Sequence, residues 1–298
     1  MPTAATLHRL RDRIRRLEQG HPAPAAPGGD TVALPAALSA TVPAAPDEIV
    51  PLGLPAIDAA LPWGGLPRGA VHEILCGNPG DGAPTAFLLT LIGRQKAAGH
   101  AGPVLWVSCR RDLFAPALPV YGCDPADFLF VRCRSGEEVL WAMEDGLRCP
   151  ALAAVAGDVG APDFAATRRL QLAAGRGGVP LFLHRPLYGS LYRAERATER
   201  RIGKGSTLAP SAAVTRWAAA ARLPDPAGPE TGTGDLAWTV HLHRCRGGRP
   251  GRWPVVWNRR QRAFEPAATP AEGSGGNETP AAPAGALHPA RDRVWAGA

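Results

Sequence analysis

The residues Gly77-Asn78-Pro79-Gly80-Asp81-Gly82-Ala83-Pro84-Thr85 lie between an apolar run, Val71 to Cys76, and a helix-forming stretch, Phe87 to Ala98. A strand, a glycine-framed loop and a helix form the setting in which G-x-x-x-x-G-K-[ST] holds a nucleoside triphosphate. There, backbone N–H groups cradle the phosphates, the lysine reaches the terminal ones and the hydroxyl ligates Mg²⁺. Gly77 and Gly82 keep the frame, but the lysine position holds Ala83 and the hydroxyl position Pro84. Pro84 also removes a backbone donor, and Asp81 sets a negative charge against any phosphate. Thr85 supplies a hydroxyl only if the register moves by one residue. The pattern predicts a degenerate phosphate loop, with an unrelated Gly/Pro turn as the alternative. The surviving amides and helix N-terminus leave open nucleotide binding without hydrolysis.

Other chemistry is sparser. His241 and His243 alternate along a strand and so share a face, but no third metal ligand is evident. Asp158 follows the short buried run Ala151 to Gly157 and reads as a sheet-end residue or a helix cap. There is no G-x-S-x-G elbow. The expectation is a chain with no catalytic residue, no cofactor and no metal, and therefore not an enzyme.

The elements that position these residues follow from periodicity. Val104 to Val107, Ala151 to Gly157 and Val179 to Leu183 are short apolar runs. They alternate with helical stretches, one of them running from Gly136-Glu137-Glu138 through Leu140 and Met143. That alternation predicts an α/β fold with a parallel, helix-covered sheet. Thr6 can cap an N-terminal helix over residues 1–20, with Leu7, Leu10, Ile14 and Leu17 on one stripe and arginines around the rest. The stripe either packs on its own domain or docks on a partner. Residues 21–48 read as a Pro/Ala-rich linker, 49–265 as the core and 266–298 as a disordered tail. Pro224 to Gly234 reads as a mobile loop within the core.

With 298 residues, the chain can bury one large core or two modest ones. The net charge of +7 favours polyanionic partners. Lys96 and Lys204 are the only lysines, however, and with the heavy Ala, Gly and Pro usage this reads as a GC-rich genome. The arginine excess is discounted accordingly. The six cysteines show neither a C-x-x-C pair nor zinc spacing, and no apolar run reaches membrane-spanning length. With no signal-peptide pattern, a reducing cytoplasm is the expectation.

The stretch Gly53-Leu54-Pro55-Ala56-Ile57-Asp58-Ala59-Ala60-Leu61-Pro62-Trp63-Gly64-Gly65-Leu66-Pro67-Arg68-Gly69 resembles the approach to a RecA-type core. The element order from about Gly53 to Asn258 is similar to that of bacterial RecA. Three segments carry a closer resemblance, to the ImuA family, the SulA/RecA-like proteins of the bacterial SOS mutagenesis cassette. They are the basic leading helix Leu7 to Glu18, the Gly53–Gly82 stretch, and the arginine-rich hairpin from Leu242 to Trp253 that closes with Trp257-Asn258. The resemblance implies a RecA-like P-loop NTPase core with a C-terminal antiparallel hairpin. It also bears on hydrolysis, which needs a group to orient the attacking water. In RecA-type enzymes that glutamate follows the second strand, whereas here Ser108-Cys109-Arg110-Arg111 follows and no carboxylate appears until Asp112.

Two basic segments are the candidate binding surfaces. Arg193, Arg196, Arg200, Arg201 and Lys204, with Tyr188 and Tyr192 nearby, occupy the position of the loop with which RecA grips single-stranded DNA. A solvated helix of mixed charge is the other reading. The hairpin carries Arg244, Arg246, Arg249, Arg252 and Trp253, suited to phosphate contact or to partner docking. The ImuA resemblance implies an accessory protein of error-prone translesion synthesis. Its expected partners are ImuB, an error-prone DNA polymerase III alpha-type subunit, and further RecA or single-stranded DNA. It would be cytoplasmic, and nucleoid-associated when DNA is damaged. The competing expectations are a RecA/KaiC-like ATP- or DNA-binding protein and a SulA-like inhibitor of cell division.

Overall fold

The structure is a computed structural model, and it describes residues 48–78, 80–186, 210–222 and 236–267. The candidate helix residues Leu7, Leu10, Ile14 and Leu17 lie outside these, as do Arg193, Arg196, Arg200, Arg201, Lys204 and the stretch Pro224 to Gly234.

A nine-stranded sheet runs through the described residues. In chain order its strands are β3 (Val71–Cys76), β4 (Val104–Ser108), β5 (Phe128–Arg132), β6 (Ala154–Asp158), β7 (Leu181–Pro186), β8 (Thr215–Ala221), β9 (Leu236–Cys245), β10 (Gly251–Asn258) and β11 (Ala263–Pro266). A separate two-stranded ribbon pairs β1 (Ile49–Val50) with β2 (Leu66–Pro67). The order across the large sheet is β11-β10-β9-β8-β3-β7-β6-β4-β5. From β5 to β8 the strands are parallel, and from β8 to β11 neighbours are antiparallel. The antiparallel end is thus four strands wide rather than the single hairpin that the sequence indicates.

Helices cover both faces of the parallel half. On one face lies α2 (Ala83–Ala97), with the 3₁₀ turn Ala115–Tyr121 beside it. Phe87, Leu88, Leu91 and Ile92 of α2 are buried on more than one side of the helix, because it is wedged between sheet and turn. Gly93 permits this, since a Cβ there would collide with the Tyr121 carbonyl oxygen. On the other face lie α3 (Gly136–Leu147) and α4 (Phe164–Gly177). Ser135 caps α3 by accepting from the Glu138 N–H at 3.2 Å, while the Glu138 carboxylate accepts from the Arg134 N–H at 2.9 Å. Asp163 caps α4 at the Ala166 N–H, 2.6 Å, and Gly178 at φ 65° ends it.

The short helix α1 (Pro55–Asp58) belongs to the glycine-rich approach segment. Ile57 and Leu61 are buried, and the Asp58 carboxylate accepts from the N–H groups of Leu52 (2.8 Å) and Gly53 (3.0 Å). Asp58 is therefore a fastener for that segment. Gly65 lies where a Cβ would sit 2.7 Å from the Val50 carbonyl oxygen, so the β1–β2 ribbon requires glycine there.

Candidate functional site

Parallel α/β sheets bind ligands beyond the carboxyl ends of their strands. At that end lies a cleft of about 330 Å³. Its lining includes Cys76 at the end of β3, Asp81 and Thr85 from the loop and α2, Trp106 and Arg110 at and after β4, Asp158 at the end of β6 and His184 on β7. The element order thus brings the phosphate-loop residues and Asp158 together, as the sequence predicts for a nucleotide-type site.

Inside the loop, the groups that would hold a phosphate are already engaged. Asn78 Oδ1 accepts from the Gly80 N–H at 3.0 Å, and Asp81 Oδ1 accepts from the Ala83 N–H at 2.9 Å. The other Asp81 oxygen faces the Ala221 N–H at 3.4 Å, which ties the loop to the end of β8. At the start of α2, then, Ala83 gives its N–H to a carboxylate and Pro84 has none to give. An anion belongs at a helix N-terminus, and the chain supplies its own.

The rest of the cleft is internally neutralised in the same way. Arg110 contacts Asp112 at 2.9 Å and the largely buried Asp158 at 3.4 Å. Asp158 is therefore an ion-pair partner of the residue after β4, and it is Asp163 that caps the following helix. Thr85 Oγ1 lies 3.5 Å from His184 Nε2. Burial lowers the His184 imidazole to about 4, with the Arg110 charge adding to the shift and Asp112 opposing it. At neutral pH this histidine is uncharged, so it adds no cation for a phosphate.

A second cluster went unseen in the sequence, where Val71 to Cys76 reads simply as apolar. Glu73, fully buried in β3, accepts from Arg185 (3.2 Å), Ser211 (2.6 Å) and Arg216 (2.6 Å). Arg185 and Arg216 are themselves buried, on the strands flanking β3. The only sequence signal is a glutamate inside a strand that is buried on both faces. His72 next to it is equally buried, with Nδ1 2.8 Å from Thr215 Oγ1 and Nε2 2.9 Å from the Pro67 carbonyl.

The arginines of the hairpin divide into two kinds. Arg244 donates to the Ser211 carbonyl at 2.9 Å and Arg246 to the Ala212 carbonyl at 3.2 Å, so both brace the root of β8. Arg249 and Arg252 are exposed, and Trp253 packs partly buried against the core. His241 and His243 do share a face, with ring centroids 3.8 Å apart. Burial, assisted by Arg252, depresses the former; burial, then the His241 charge and Arg216, pushes the latter to about 4. Among the described residues, no group of three or more His, Cys, Asp or Glu side chains is placed to hold a metal ion. No described helix is long and apolar enough to cross a membrane.

The strand order, the helix-covered parallel half and the cleft beyond β3 define a RecA-like α/β protein. Two comparisons agree on that class: RecA of Streptomyces avermitilis is 33% identical over 110 residues, 37% of this chain and 28% of that protein. RecA of Streptomyces ambofaciens matches at 33% over 107 residues, again covering 28% of its length. Protein ImuA of Caulobacter vibrioides is 41% identical over 215 residues, which span 70% of this chain and 83% of that protein. This chain belongs to the ImuA family. No protein-family model matches it.

Proposed function

We propose that the chain is a non-catalytic adaptor of SOS-induced, error-prone translesion DNA synthesis. It acts in a complex with ImuB and an error-prone DNA polymerase III alpha-type subunit. Family membership supports the pathway. The observation that carries the non-catalytic half is the loop: Asp81 takes the Ala83 N–H, and neither lysine nor hydroxyl stands at positions 83 and 84. Phosphoryl transfer is positioning plus charge stabilisation, and this cleft offers a phosphate a carboxylate, a neutral imidazole and an arginine already facing two aspartates. The fold then serves as a scaffold whose surfaces are released from nucleotide-driven cycling. The exposed Arg249 and Arg252 belong to the docking surface, together with the N-terminal helix and the 193–204 segment. The site of action is the cytoplasm, at damaged DNA.

The test is co-expression with the same genome's ImuB and polymerase, followed by tag pull-down of the full chain and of forms lacking residues 1–20 or 267–298. Stable co-purification is the expected result, and the truncations identify the end that docks. The RecA-like alternative, binding of ATP or single-stranded DNA, draws on the identity to the Streptomyces RecA proteins. Partners that wash away while ATP or single-stranded DNA stays bound would replace the adaptor reading with it.

A further inference from the structure

The parallel end of the sheet finishes in β5, which pairs only with β4. Nothing among the described residues covers its outer edge, so its outward backbone groups face a vacant strand position. On the face shared with α2, Phe128 and Phe130 stack at 5.8 Å, and Phe130 is 53% exposed. A groove of about 360 Å³ runs beside the strand, with Trp106, Leu113 and Phe130 as its apolar lining and Arg111 and Arg132 at its margin. Its outer wall is the 110–115 segment, whose opposite side lines the cleft described above. Arg110 is engaged by Asp112 and Asp158, but Arg111 and Arg132 are exposed and form no ion pair within the described residues.

Natural sheets shield an edge strand with charge or a covering element. Here exposed aromatic surface lies along the edge instead, and the charges beside it are of one sign. We infer that β5 is a docking edge for an extended acidic peptide of a partner protein. The peptide adds a strand to β5, places an apolar side chain in the groove against Trp106, Leu113 and Phe130, and sets carboxylates against Arg111 and Arg132. Strand addition derives affinity from main-chain hydrogen bonds and specificity from alternate side chains, and this edge offers both. The inference is independent of the translesion reading, because it specifies the chemistry of the segment and not the protein that carries it.

The probe is a random-peptide phage library selected on the full chain, with counter-selection on the Arg111→Glu/Arg132→Glu double variant. Retained far-UV circular dichroism and unfolding temperature establish that the variant folds. Enriched peptides are expected to be acidic with one aromatic or aliphatic anchor. Their affinity by fluorescence anisotropy should fall about ten-fold or more on charge reversal, as expected for loss of close charge pairs. Phe130→Asp should weaken them comparably, and N-methylation of alternate peptide amides should abolish binding. Any of three results would overturn the inference: no enrichment beyond the charge-reversed variant, peptides indifferent to substitutions at the edge, or displacement by oligothymidylate, which would make the groove a single-strand DNA site. Failure here with intact co-purification of ImuB would leave the adaptor reading standing.

Discussion

Replacing Asp81 with Ser should convert a blocked loop into one that accepts an anion, at a small cost in stability. The carboxylate accepts from the Ala83 N–H at 2.9 Å, so a phosphate on the same amide would lie within about 4 Å of it. Two unit charges at about 4 Å repel by roughly 1 kcal/mol in water and roughly 4 kcal/mol at the effective dielectric of a protein surface. Removing the repulsion should strengthen pyrophosphate binding by roughly five-fold at the low end and several hundred-fold at the high end. Loss of the cap-like contact should lower stability by about 1 kcal/mol, or roughly 2–4 °C for a domain of this size. Calorimetric titration of pyrophosphate and Mg-ATP into the wild type, Asp81→Ser, and the triple variant with Ala83→Lys and Pro84→Thr reads both quantities. The wild type should show no heat of binding, the single variant weak binding and the triple variant the tightest. Wild-type affinity equal to that of Asp81→Ser would refute the claim that the carboxylate occupies the phosphate position.

Glu73→Gln should destabilise the protein by about 3–5 kcal/mol in chemical denaturation, because it leaves Arg185 and Arg216 buried without a counter-charge. A loss under about 1 kcal/mol would mean that water or another group compensates. His72 and His184 are both depressed to about 4, mainly by burial, against about 6.5 when unfolded. The unfolded chain therefore binds more protons between those values, so stability is flat above pH 6.5 and falls toward pH 4. Each histidine should contribute a slope of up to about 1.4 kcal/mol per pH unit; His72→Gln should flatten the curve by up to that amount in pH-dependent thermal unfolding. Gly93→Ala should cost several degrees in the same assay, since α2 and the 3₁₀ turn must separate to clear the Tyr121 carbonyl.

The sequence made the β3–loop–α2 unit legible because glycine spacing and a flanking apolar run are local signals. The helix begins at Ala83, four residues before the sequence places it, since Pro84 suits a first helical turn. The strands after Val104, Ala151 and Val179 were legible too, each within a few residues, because buried parallel strands are short apolar runs. β8 carries no such signal: Thr-Arg-Trp-Ala-Ala-Ala-Ala reads at least as well as helix, and only its place between β3 and β9 makes it a strand. The site's ionic contacts were illegible for a different reason. Glu73 meets Arg185, Ser211 and Arg216 across sequence separations of 112, 138 and 143 residues. The Arg110–Asp158 contact likewise exists only once β4 and β6 lie side by side. Spacing along a chain cannot reveal pairs that topology creates.

Glu73 has one more consequence. Arg185 is the last side chain of β7 to contact the core before residue 187, and Ser211 is among the first described after residue 209; one carboxylate oxygen holds both. The two ends of the intervening stretch are thus riveted to a single point in the middle of the sheet. Loop closure is fixed by the scaffold, and lengthening the insert adds only a slowly growing entropic term. The 187–209 stretch is therefore a natural graft port: a foreign peptide, fluorophore tag or altered basic sequence can be exchanged there while the sheet keeps its register.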